Sequence, residues 1–234
     1  MVNTIEGYLG KRTDCKKSRL PALWDKLQSL TGLILACFII CHIFFTSSIL
    51  LGKGAFNSVV NFAEAEFIFG NGGLAWITNV VAGVIFIIFI THAFLGMRKF
   101  PANFKQYLLF RGHKTRMRHF DTTAWWLQFL TGFGLFFAAS AHLMDILFNN
   151  KKITADISAA NFHQYEIFYF VLLVFMVVHA GIGMYRLYVK WISIEGVNKA
   201  EMTAKRASIR TLILGFWAAL FVLALIADFV WIAQ

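Results

Sequence analysis

Proline is almost missing from this chain: its 234 residues include two. Cysteine is nearly as scarce, and three thiols make no disulfide framework. Charge is thin as well. Lys, Arg, Asp and Glu together make 15% of the residues, and bases outnumber acids by 22 to 12. Nothing is low-complexity, and no linker marks a second domain, so residues 1–234 read as one domain. Apolar matter fills the place of what is missing: 59% of the chain is hydrophobic and 17% aromatic, with a mean hydropathy of +0.65. No soluble core of this size needs that much, and composition alone points to the membrane.

The windows 30–51, 74–97, 122–144, 167–185 and 211–227 carry no charge. Each is about long enough to cross ~30 Å of hydrocarbon as a helix, the form that satisfies every backbone N–H and C=O within the run. The sequence therefore predicts an all-α polytopic membrane protein with five transmembrane helices, at about 25–51, 74–97, 121–148, 164–190 and 207–232. The first run is too long for the apolar core of a signal peptide and no small-residue cleavage site follows it, so it is expected to stay as an anchor.

A net charge of +10 could suggest nucleic acid. Its distribution suggests topology instead. Six Lys and Arg precede residue 27, seven lie in 98–120 and six in 186–210, while the other two loops share only Lys53, Lys151 and Lys152. By the positive-inside rule the N-terminus is expected in the cytoplasm and the C-terminus outside. Cys15 then lies in the cytoplasm, and Cys37 and Cys41 inside the first span.

The chain repeats itself. "LQSLTG" at 27–32 returns as "LQFLTG" at 127–132, and "HAFLGMR" at 92–98 returns as "HAGIGMYR" at 179–186. Spans one and two, and spans three and four, read as parallel copies of one helix pair, so equivalent residues sit at equal depth. The fifth span has no counterpart and reads as a flanking helix.

Of seven histidines, His113, His119 and His163 fall in or beside loops. The other four, His42, His92, His142 and His179, stand one in each repeated span. A buried ionisable group is costly in hydrocarbon and is seldom idle. At ~1.5 Å per residue, His92 and His179 lie ~9–11 Å from the cytoplasmic edge, and His42 and His142 ~25–31 Å from it. This predicts an inner pair, His92 with His179, and an outer pair, His42 with His142. Two imidazoles cannot close a tetrahedral zinc site, but they suit the axial positions of a haem. Gly32, Gly132, Gly83, Ala93, Ala180 and Gly181 are expected to give such a group room. "CFIICH" at 37–42 has one residue too many for covalent haem attachment. Gln28, Ser29, Trp125, Gln128 and Lys190 lie at helix ends near the inner pair, where haem propionates need donors.

These stretches resemble a known family. "QSLTGLIL" at 28–35, "HIFFTSSILLG" at 42–52, "HAFLGMRKFPANFKQY" at 92–107, "HKTRMRHFDTTAWWLQFLTGF" at 113–133 and "GMYRLYVKW" at 183–191, with "KKSRLPA" at 16–22, are similar to the dihaem cytochrome b membrane subunit of succinate:quinone oxidoreductases, above all that of epsilonproteobacterial menaquinol:fumarate reductases. The resemblance implies five helices, four of them a bundle around two haems b. It implies axial ligation by His92 and His179 and by His42 and His142, with Gln28, Ser29, Trp125 and Lys190 on the inner propionates. It implies menaquinone near the outer haem, with Glu64 handling its protons and Glu66 as runner-up. It also implies an iron–sulfur subunit and an FAD flavoprotein as partners, in a bacterial inner membrane, with the dicarboxylate site on another chain. The fumarate reductases carry a Glu two residues before the last axial histidine, proposed to conduct compensating protons; Val177 stands there in this chain. Rival readings are the cytochrome b subunit of a nitrate reductase or hydrogenase, a haem-free transporter using four buried histidines, and an anchor whose haems only aid assembly.

Overall fold

In a computed structural model, which describes residues 20–70, 73–117, 119–148, 152–192, 194 and 198–233, the apolar runs become long helices. The first, α1 (Leu20–Ser47), continues through a 3-10 turn at Ser48–Leu51 and stops at Gly52, whose φ of 97° a side chain would resist. Pro21 sits within the first turn of α1, where its missing N–H costs nothing. Two short helices, α2 (Lys53–Ala63) and α3 (Glu66–Phe69), follow and lead to α4 (Trp76–Met97). A basic helix, α5 (Phe104–Met117), joins α4 to α6 (Phe120–Phe148). After α7 (Ala155–Gln164) come α8 (Glu166–Trp191) and α9 (Lys199–Ile232).

Among the described residues five helices, α1, α4, α6, α8 and α9, are long and apolar enough to cross a membrane. The segments between them, read from sequence as loops, hold α2, α3, α5 and α7. Helix α9 also starts earlier than its apolar run, because Asn198 caps it: the Asn198 side chain accepts the Glu201 N–H at 2.9 Å.

Helices α1, α4, α6 and α8 pack in a ring in that order, and α9 lies in the groove between α8 and α1. An apolar cluster of Ala36, Ile43, Leu173, Val177, Trp217, Leu220 and Ala224 seals that groove. The fifth span therefore flanks a four-helix bundle. At one end α2 and α7 fold over the ring, with Phe56 and Ala155 buried against Trp231. Lys53 pairs with Asp156 there, and the Ala155 N–H donates to Asn57. The other end, where the basic residues gather, is called the inner end below. There Asp25 takes Arg98, Lys99 at 3.2 Å and Lys190 at 3.5 Å, tying α1, α4 and α8 together.

Candidate functional site

Protein interiors hold few voids larger than a water. This bundle encloses one of about 1100 Å³, running between its ends and lined mainly by apolar side chains. Of the residues singled out from the sequence, Gln28, Ser29, His42, Glu64, His92, Trp125, Gln128, His142, His179 and Lys190 line it.

The four histidines face one another in two pairs across the diagonals of the ring. His92 on α4 and His179 on α8 have ring centroids 6.4 Å apart. His42 on α1 and His142 on α6 are 6.3 Å apart. With metal–nitrogen bonds of ~2 Å and ~1.1 Å from each nitrogen to its ring centroid, two imidazoles on opposite sides of one metal put their centroids ~6.2 Å apart. Both pairs have that spacing. Among the described residues no third His, Cys, Asp or Glu joins either pair to form a metal-binding group. Two nitrogens and a large, mainly apolar cavity fit haem and do not fit a closed zinc site.

The inner rings are anchored through Nδ1. His92 Nδ1 lies 3.2 Å from the Gln28 carbonyl and His179 Nδ1 lies 3.0 Å from the Gln128 carbonyl. A carbonyl only accepts, so each Nδ1 carries its proton and each Nε2 keeps its lone pair. The Thr31 hydroxyl, which donates to the Leu27 carbonyl at 2.8 Å, adds a second oxygen 3.1 Å from His92 Nδ1. Both rings press on glycine: a Cβ on Gly32 would fall 2.8 Å from His92 Cε1, and one on Gly132 would fall 2.7 Å from His179 Cε1.

Two other small residues expected to give a ligand room do something else. Gly181 admits the fifth helix, since a Cβ there would lie 3.2 Å from Trp217 Cβ, and Gly83 rests near Leu147. Ala93 and Ala180 do line the cavity.

The inner mouth is cationic. Among the described residues Lys99, Arg186 and Lys190 line it with one carboxylate, Asp121. Lys190 Nζ lies 3.5 Å from the Ser29 hydroxyl, and Arg186 donates to the Gln128 side chain. Trp125 is buttressed from behind by Phe110 of α5 at 5.6 Å.

At the outer end Glu64 is fully buried, with 0% of its surface exposed. Three features hold it there. Ala65 turns the chain with a φ of 59°, a left-handed conformation costing a non-glycine residue roughly 1–2 kcal/mol. Leu74 N–H donates to the Glu64 carbonyl at 2.9 Å. Gly73 folds so close that a Cβ on it would stand 2.7 Å from Glu64 Cβ. Thr78 donates to Oε1 at 3.3 Å, while Oε2 has no hydrogen-bond partner among the described residues. Burial pushes this carboxyl above its ordinary range; the charge of Lys152 and the Thr78 hydroxyl act the other way. Glu66 begins α3 and does not line the cavity. Sequence reasoning missed Asp145, Asp228 and Lys152, which line this end too. A signal existed for Asp228: it closes an uncharged window yet lies inside the last helix.

Residues 110–225 match the family described as succinate dehydrogenase/fumarate reductase transmembrane subunit. Over 214 residues the chain is 42% identical to the fumarate reductase cytochrome b subunit of Wolinella succinogenes, covering 91% of this chain and 83% of that one. The chain belongs to this family. The Helicobacter pylori fumarate reductase cytochrome b subunit is 43% identical over 204 residues, covering 84% of this chain and 80% of the relative. As a succinate dehydrogenase/fumarate reductase transmembrane subunit, the chain is the multi-pass membrane component of an oxidoreductase complex, and its relatives are cytochromes b. The membership speaks for this reading over the nitrate reductase, hydrogenase and transporter alternatives.

Proposed function

We propose that this subunit is a dihaem cytochrome b joining membrane menaquinone to the soluble part of a succinate/fumarate oxidoreductase. The observation that carries the reading is the equal spacing of two imidazole pairs, 6.4 and 6.3 Å, inside one cavity. His92 and His179 hold the inner iron, and His42 and His142 the outer. Haem with imidazole on both faces supplies one-electron transfer and no open position for oxygen. Gln28, Ser29, Trp125 and Lys190 receive the inner propionates, and the cationic mouth favours those carboxylates.

Glu64 exchanges protons with menaquinone at the outer end. Its unpartnered Oε2 and its burial support this role: a carboxyl held above the ordinary range can give or take a proton near neutral pH. The iron–sulfur subunit, carrying the FAD flavoprotein, docks on the inner face, where the segment 98–120 presents α5 and its basic residues. The bacterial relatives support a bacterial inner membrane, and the charge asymmetry supports a cytoplasmic N-terminus and a periplasmic C-terminus.

Val177 leaves no titratable group at the position where the fumarate reductases carry Glu, and it packs in the apolar cluster against α9. Turnover is therefore electrogenic, moving charge at ~2.3 kcal/mol per charge per 100 mV. In proteoliposomes, turnover that generates no potential and ignores an imposed one would refute this.

The experiment for the whole reading is haem stoichiometry with reduced-minus-oxidised spectra of the purified complex. It predicts a b-type α-band and two haems per chain. A colourless preparation, or one haem, would overturn it.

A further inference from the structure

The two repeated motifs meet each other in the same way twice. Between α1 and α4, the Gln28 carbonyl takes His92 Nδ1–H, Gly32 lies under the His92 ring, and the Gln28 amide sits over Gly96, where a Cβ would lie 3.4 Å from Nε2. Between α6 and α8, the Gln128 carbonyl takes His179 Nδ1–H, Gly132 lies under the His179 ring, and the Gln128 amide sits over Gly183, where a Cβ would lie 2.9 Å from Nε2. Each helix thus offers a glycine to the other's polar residue.

We infer that Leu-Gln-x-Leu-Thr-Gly and His-Ala-x-x-Gly-Met are the two halves of one histidine cradle, built once in each helix pair. Its glutamine carbonyl sets which ring nitrogen stays free, and its first glycine sets how near the ring lies to the neighbouring backbone. The inference rests on iron ligation by the inner pair.

The physical case has three parts. A helix carbonyl has two lone pairs, and the intrahelical bond uses one, so Gln28 and Gln128 can each accept a ring N–H without breaking their helix. An imidazole whose Nδ1–H is bonded to a carbonyl is fixed in tautomer and orientation and is the stronger ligand through Nε2. Alanine at either first glycine would enter within 3 Å of a ring carbon, and the histidine is a short, anchored ring that must tilt to clear it. His42 and His142 have no such carbonyl among the described residues, so Gly32, Gly132 and Thr31 are positioning residues for the inner pair alone.

The test uses the whole complex with Gly32→Ala, Gly132→Ala and, as control, Gly215→Ala, a glycine of α9 with open space where its Cβ would go. Haem per chain is measured with low-temperature α-bands and ferric EPR signals. Gly215→Ala is expected to match the wild type. Gly32→Ala and Gly132→Ala are expected to keep the outer signal while losing or shifting the inner one. Retention of both signals unshifted would overturn the cradle. Should the alanine variants fail to assemble, Thr31→Val decides. It keeps the shape and removes one oxygen beside His92 Nδ1, so the inner EPR signal is expected to shift with haem content unchanged. An unshifted signal there also overturns the cradle. A wild type without haem, or a His92→Ala variant that keeps both centres, would sink the ligation reading instead, so the two failures are told apart.

Discussion

The inner and outer histidine pairs share a spacing and differ in almost everything around it. The inner rings are hydrogen-bonded to helix carbonyls and lie against glycine. The outer rings are held by aromatic faces: His42 stacks with Phe38 at 5.5 Å, and His142 meets Tyr169 edge-on at 5.9 Å. Among the described residues three cations and one carboxylate line the inner mouth, and three carboxylates and one lysine line the outer end. The inner end is thus suited to gripping an anionic group tightly, and the outer end to moving protons past a less constrained ligand pair. The same fold segment, copied once, has been given two different electrostatic surroundings at its two depths.

The hardest way to break this comparison is to remove one pair. His92→Ala or His179→Ala should about halve the haem content and leave the outer signal, and His42→Ala or His142→Ala should do the reverse. Loss of both signals from every variant would show that the two ends are one cooperative site. Next in size is the outer proton group. Glu64→Gln should cut quinone turnover by ~10²-fold or more with both haem signals intact, the loss expected for a general acid–base residue. Unchanged turnover would move the proton role to Asp145 or Asp228.

Two smaller changes sharpen the contrast. Thr78→Val removes the donor that favours ionised Glu64, so the acid limb of the pH–rate profile should move up by as much as about one pH unit. The sign of the stability effect follows from the same group. Folded Glu64 holds its proton above the ordinary value of 4.5, so the folded state binds more protons than the unfolded one and stability falls as pH rises from there through the raised value. Thermal haem release should show Glu64→Gln gaining on the wild type as pH climbs. Lys152 and Thr78 face this carboxyl, and both limit the size of the gain. At the inner end, Asp25→Asn removes the one carboxylate shared by Arg98, Lys99 and Lys190, and the midpoint potential of the inner centre should rise while the outer one stays put.

Much of this is legible in the sequence. Uncharged runs mark the spans, because hydrocarbon excludes charge whatever the tertiary packing. The pairing of His92 with His179 and His42 with His142 follows from rise per residue, since equivalent residues of parallel repeats sit at equal depth. The fates of Gly83 and Gly181 were not legible: what a small residue makes room for depends on the helix's rotation, which only its neighbours fix. Burial of Glu64 was hidden for a similar reason. An acid in a loop reads as solvated, and only the left-handed turn at Ala65 and the return of the chain at Gly73 bring it inside. The short helices α5 and α7 mix polar and aromatic residues too evenly to show a clear period. Cys15 and Lys151 lie outside the described residues.

The ring has a mechanical property that follows from its diagonals. Four rods joined only side to side form a hinged quadrilateral, free to skew. One rigid tie across a diagonal removes that freedom. Here each level has its own tie, running α4 to α8 at the inner level and α1 to α6 at the outer, once a metal joins each facing pair. Either level can then lose its tie and slacken while the other stays square, so damage at one leaflet need not spread to the opposite one.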